Sequence, residues 1–153
     1  MKPGTNDAPW TVAIIGSFRQ YYEQTVSAAL KFESALISVL TPPISRITNP
    51  GADFVRFETD AFNSSDHQIQ AVTLTRILSA DFVYVVAPGG YIGRTTSYEL
   101  GRVHAEGIPV YYSERPEDLP IPVSDEQVAT VDELTRLLGN RRLSGTLLGP
   151  ELS

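Results

Sequence analysis

Residues 81–87, opening on Asp81 and ending on Ala87, form a near-continuous apolar run, and no other stretch limits the fold as strongly. Helices cover both faces of a parallel sheet, so its central strands carry side chains that avoid water on both sides. The run leads directly into Pro88, Gly89 and Gly90, and a helix is predicted from about residue 95 to 106, with Gly107 as its stop. A buried strand, a glycine turn and a helix in that order are the middle of an alternating α/β chain.

The flanking sequence continues the alternation. Residues 10–16 read as a buried strand, and the turn chemistry of Gly16, Ser17, Phe18 and Arg19 leads into a helix over about 22–35. Residues 36–40 read as a second strand that stops at Pro42 and Pro43. Phe54 to Glu58 alternates like an edge strand within the less regular segment 46–63. Ser65, Asp66, His67 and Gln68 have the form of a capping box that opens a helix reaching about Ser79, with Ile69, Val72, Leu74 and Ile77 toward the sheet. Residues 109–112 and 127–129 are the remaining strands, the last one weak, and Thr130 to Glu133 is a second capping box before a final helix. The expected fold is a three-layer Rossmann-like (flavodoxin-like) α/β domain with a mostly parallel five-stranded sheet, order 2-1-3-4-5. It spans residues 10–139, with 1–9 as an N-terminal tail and 140–153 as a C-terminal tail or dimer arm.

Length and composition fit this scheme and narrow the partners. A chain of 153 residues suffices for one domain with its own core. No apolar run approaches the roughly 20 residues of a membrane span, and the first residues lack the apolar segment of a secretory leader. Without cysteine there are neither disulfides nor thiolate metal sites, so the expected setting is cytoplasmic. A formal charge of −6 argues against a nucleic-acid polymer as partner. His67 and His104 fall in different helices with no second histidine or cysteine at ligand spacing, so neither a metal nor a cofactor is expected.

In this strand order the first and third strands lie side by side at the switch point, where α/β sheets bind ligands. The turn at Gly16, Ser17 and Arg19 then meets the stretch containing Gly93, Arg94, Thr95, Thr96 and Ser97. Two guanidinium forks, four hydroxyls and a helix N-terminus together suit a phosphate monoester. Glu99, in the second turn of that helix, is placed to reach the anomeric carbon of a sugar whose 5′-phosphate sits at the turn. A carboxylate near a helix N-terminus is also favoured by the dipole alone, so spacing by itself leaves Glu99 with two readings. Arg19 and Arg94 likewise read as phosphate ligands or as surface ion-pair partners, and Tyr21, Tyr22 and Tyr91 as base-stacking groups or ordinary packed tyrosines.

Gly16 to Arg19, followed by Tyr98, Glu99, Leu100, Gly101 and Arg102, resembles the nucleoside 2-deoxyribosyltransferase superfamily, and within it the 2′-deoxynucleoside 5′-monophosphate N-hydrolases. The likeness covers about residues 12–113. It implies that Glu99 is the nucleophile at C1′, that Ser17 and Arg19 hold the 5′-phosphate, and that the protein is a homodimer. Pro88, Gly89 and Gly90 with Thr95 to Glu99 also resemble the phosphoribohydrolases of the LONELY GUY type, over a shorter stretch. Both resemblances imply cleavage of an N-glycosidic bond in a nucleotide.

Three positions depart from the first pattern. Thr73 stands where an aspartate is usual, Ala13 where a tyrosine is usual, and Ser97 at a glycine position. Glycosidic cleavage gains from a second group that protonates or orients the departing base. Asp66, seven residues before Thr73 on the same helical stripe and ~10 Å nearer the helix start, is the first candidate for that group. Its first reading, though, is a plain N-terminal helix residue, and Glu58, Asp60 and His67 are weaker candidates for the second group. The expected activity is therefore an N-glycosidase on a nucleoside 5′-monophosphate, with water as acceptor. The alternatives are a nucleotide-binding sensor that lost its acid pair and a transferase that exchanges bases.

Overall fold

The computed structural model describes residues 10–43 and 65–144. Four parallel strands lie in the order β2-β1-β3-β4, with β1 at Thr11–Gly16, β2 at Ser38–Thr41, β3 at Phe82–Val86 and β4 at Val110–Tyr112. The helices between and after them are α1 (Tyr22–Ser34), α2 (Asp66–Leu78), α3 (Arg94–Ala105) and α4 (Val131–Ser144). All three strand pairings are parallel, and β1 and β3 pair from Val12 opposite Phe82 to Gly16 opposite Val86. The fold is α/β and Rossmann-like.

The strand pleat divides the core in two. Val12, Ile14, Phe82, Tyr84 and Val86 pack with Ala28, Ala29 and Phe32 of α1 and with Leu134 and Leu138 of α4. Ala13, Ile15, Val83 and Val85 pack with Ile77 of α2 and with Leu100 and Val103 of α3. Every residue of β3 is buried, as its apolar run requires.

Both helix-starting capping boxes form as the sequence predicts. The Gln68 N–H donates to Ser65 Oγ at 3.1 Å while the Ser65 N–H donates to Gln68 Oε1 at 2.9 Å. Thr130 and Glu133 exchange the same pair at 2.8 and 3.1 Å, ahead of α4. Hydrogen bonds from the Thr130 backbone and side chain hold the Glu133 carboxyl below the ordinary carboxylate range.

Four local expectations are corrected. The five-stranded sheet is four-stranded among the described residues: 127–129 supplies only an isolated parallel bridge between Tyr112 and Val128. A short 3₁₀ turn at Asp125–Gln127 brings the buried Gln127 side chain inward, where its Nε2 donates to Val110 O at 2.9 Å. A side-chain amide thus meets the β4 carbonyl that a fifth strand's N–H would have met. Leu36 is not in β2. It has φ of 65° and is 72% exposed, with the Leu36 N–H donating to Glu33 O and the Ile37 N–H to Phe32 O, both at 3.0 Å. This is a Schellman motif with leucine at the position glycine normally takes.

Val72 turns away from the sheet and is 52% exposed, while Ile69, Leu74 and Ile77 are buried. At 3.6 residues per turn it lies roughly 160° around the helix from Leu74. Finally, α4 continues to Ser144, into the segment read as tail or arm. The edge strand expected at Phe54 to Glu58, the candidates Glu58 and Asp60, and residues 145–153 lie outside the described residues.

Candidate active site

The site begins where β1 and β3 end side by side. A Cβ on Gly16 would come within 2.7 Å of the Val86 carbonyl oxygen, so only glycine lets the two strand ends approach this closely. The chain then turns at Ser17, whose carbonyl accepts from the Gln20 and Tyr21 N–H groups at 3.0 and 2.8 Å. That turn points Ser17, Phe18 and Arg19 over the strand ends.

After β3 the chain makes a short 3₁₀ turn at Pro88–Gly90, in which Gly89 has φ of 68°. Its backbone is engaged elsewhere: the Gly89 N–H donates to Glu114 Oε1 at 3.1 Å and the Gly90 N–H to Ala87 O at 2.8 Å. The available anion-binding backbone lies further on, at the start of α3. Gly93 is the N-cap residue, and no side chain caps this helix. The first N–H groups of α3 therefore stay without an intrahelical partner beside Thr95 and Thr96.

These two loops, the end of β2 and one side of α2 enclose a cleft of about 270 Å³. Gly16, Ser17, Arg19, Gly93, Arg94, Thr95, Thr96 and Glu99 all line it, so the structure brings together eight of the ten residues the sequence singles out. Asp66 and Ser97 are not among the lining residues. Asp66 is exposed at the first position of α2, about one turn beyond Ile69 on the same stripe. Ser97 is exposed on α3, roughly 160° around the helix from Glu99.

Glu99 is the chemically distinctive group. It is 6% exposed, and its side chain makes no hydrogen bond or ion pair among the described residues. Burial pushes its carboxyl up to about 7, because a charge with little water around it is costly. Thr96, beside it in the lining, is also buried. Arg19, Arg76 and Arg94 line the same cleft. The cleft thus pairs a carboxyl poised near neutral pH with cations able to hold an anionic ligand.

Arg76 and Phe18 line the cleft without having been singled out, as do Thr41, Pro42 and Pro43 at the end of β2. Thr73, known from the sequence only as a departure from a family pattern, faces the cleft with Ile69. Ile69, Thr73 and Arg76 are spaced four and three apart, so the helical stripe that placed Thr73 also contained the signal for Arg76. Of the three tyrosines considered, Tyr91 lines the cleft, and Tyr21 packs edge-on against it with ring centroids 6.2 Å apart. The exposed Tyr98 and Arg102 of the glutamate motif contact each other, Arg102 Nη1 donating to Tyr98 Oη at 3.4 Å.

Among the described residues, no group of three or more histidine, aspartate or glutamate side chains gathers to hold a metal. No helix among them is long and apolar enough to cross a membrane. Neither a protein-family model nor a curated protein matches the chain.

Proposed function

We propose that this chain is an N-glycosidase that hydrolyses the base–sugar bond of a ribo- or deoxyribonucleoside 5′-monophosphate. The observation that carries the reading is the position of Glu99, buried in the wall of a cleft that also presents Arg19, Arg94 and the uncapped start of α3. The phosphate is held by Ser17, Arg19, Arg94, Thr95 and the first N–H groups of α3. Glu99 lies about five residues, or ~8 Å, along the helix from Arg94, which suits the distance from a 5′-phosphate to the anomeric carbon.

In the first step the Glu99 carboxylate bonds to C1′ while the C1′–N bond breaks and its electron pair leaves with the base. In the second, water displaces the carboxylate from C1′. A solvent proton neutralises the departed base, and the products are free base and sugar 5-phosphate. Glu99 reacts in its ionised form, so kcat/KM rises with pH through about 7 for the free protein.

The test is chromatographic release of base from nucleoside 5′-monophosphates, with the unphosphorylated nucleosides and Glu99→Gln as controls. Release is expected to require the phosphate and to fall at least roughly a thousandfold in the variant. Release that survives Glu99→Gln would overturn the assignment.

A nucleotide-binding sensor is a second reading, favoured by Thr73 in the cleft wall where the resembling hydrolases carry an acid. It predicts nucleotide binding with no turnover in either form of the protein.

A further inference from the structure

The third arginine of the cleft has no role in the chemistry above. Arg76 is in the last turn of α2, on the wall formed by Ile69, Thr73 and Arg76. Three residues link α2 to β3, so the last turn of α2 lies toward the edge of the sheet where β3 begins. The start of α3 lies at the opposite edge, where β3 has ended. Going down the cleft from the phosphate end, the α3 wall runs from Arg94 to Glu99, and the α2 wall runs ~10 Å from Ile69 to Arg76. A nucleotide with its phosphate at the start of α3 and C1′ at Glu99 directs its base onward, toward the end of the α2 wall that Arg76 occupies. The Arg76 side chain makes no hydrogen bond or ion pair among the described residues, so its guanidinium fork is available to a ligand.

We infer that Arg76 is the base-reading residue of this cleft, and that the preferred substrates are nucleoside 5′-monophosphates with oxo bases rather than amino bases. The inference rests on the N-glycosidase reading for the direction of the ligand. Its chemistry comes from the donor inventory: guanidinium carries five N–H donors, no acceptor, and stays charged at every working pH. It pairs with the carbonyl oxygen and adjacent ring acceptor of hypoxanthine or guanine, and with the carbonyls of uracil or thymine. Against the exocyclic amino group of adenine or cytosine it presents donor to donor, which leaves both groups unpaired. Glutamine at the same place offers one donor and one acceptor, the pattern that matches adenine.

The experiment compares inosine with adenosine 5′-monophosphate, and uridine with cytidine 5′-monophosphate, in both ribose and deoxyribose forms. Base release is measured with the native protein, Arg76→Ala, Arg76→Lys and Arg76→Gln. Binding of the same nucleotides to Glu99→Gln, alone and combined with each Arg76 substitution, is measured by calorimetry. The oxo-to-amino preference is expected to be roughly ten- to a hundredfold. It should vanish in Arg76→Ala, stay largely lost in Arg76→Lys, which keeps the charge but not the fork, and shift toward adenine in Arg76→Gln. A helix-end cation with only a dipole role would leave the ratio unchanged in all three.

Binding separates the two failures. Preferential binding of oxo nucleotides that depends on Arg76, without turnover in any protein, keeps the base-reading role and overturns the hydrolase. Turnover or binding with equal preference for oxo and amino bases overturns the role of Arg76, as does a preference that survives Arg76→Ala. Absence of both binding and turnover overturns both.

Discussion

The two faces of the sheet are built to different ends. On the α1 and α4 side, rings interlock: Phe32 lies edge-on to Phe82 at 5.9 Å and to Tyr84 at 5.3 Å, and Phe82 edge-on to Tyr111 at 5.9 Å. Tyr84 Oη donates to Ala129 O at 2.8 Å, and burial, with the Glu133 carboxylate adding to it, lifts this phenol well above its usual range. On the α2 and α3 side, β1 and β3 present Ala13, Ile15, Val83 and Val85, and the packing opens at the strand ends into the cleft that contains Glu99. One face supplies aromatic bulk, while the other keeps room and a carboxyl whose burial is unfavourable.

Breaking the first face should have the largest effect on stability. Phe32→Ala removes a fully buried ring that bridges α1 to β3, and should cost about 3–5 kcal/mol in urea unfolding. A smaller loss there than from Val83→Ala on the opposite face would contradict the division.

The second face should show its burden through pH. Burial raises the carboxyl of folded Glu99 from 4.5 to about 7, so the folded chain holds that proton more tightly than the unfolded one. Stability from this group is complete in acid, declines as pH rises from 4.5, and has reached its lower plateau above 7. Glu99→Gln lacks this titration. Its stability relative to the native protein should therefore improve between pH 4 and pH 8 by on the order of 3 kcal/mol. Parallel stability curves for the two proteins across that range would show that Glu99 is not desolvated.

Tyr84→Phe sharpens the comparison at a single atom. It strips the Ala129 carbonyl of its donor and should cost about 1 kcal/mol or somewhat more in chemical denaturation. The smallest effect belongs to Leu36, exposed at the end of α1 in a backbone region that glycine occupies without penalty. Leu36→Gly should gain about 1 kcal/mol or less, relief of left-handed strain being partly offset by the greater freedom of glycine when unfolded. A clear loss of stability in that variant would mean the leucine side chain is packed.

How far the sequence could be read depended on whether a feature is local. Both capping boxes, the buried β3 run and the glycine stop of α3 follow from neighbouring residues, and each formed where expected. The grouping of Ser17, Arg19, Arg94, Thr95, Thr96 and Glu99 needed one more step, the adjacency of β1 and β3, which parallel topology supplies. Where a long-range contact decided the matter, local reading went astray. Nothing beside Gln127 signals that its amide reaches Val110 and reduces the fifth strand to a bridge.

The sequence by itself determined the alternation of strands and helices, the parallel sheet and the identity of the cleft carboxyl, because hydrophobic period and turn chemistry act over a few residues. Only the tertiary structure decided which side chains converge. Azimuth separates Ser97 from Glu99 on one helix, and depth separates Asp66 from Thr73 and Arg76 on another. Burial was likewise a tertiary outcome. An acidic residue in a helix's second turn is ordinary in sequence, and becomes a carboxyl titrating near 7 only when the packed layers remove water from around it.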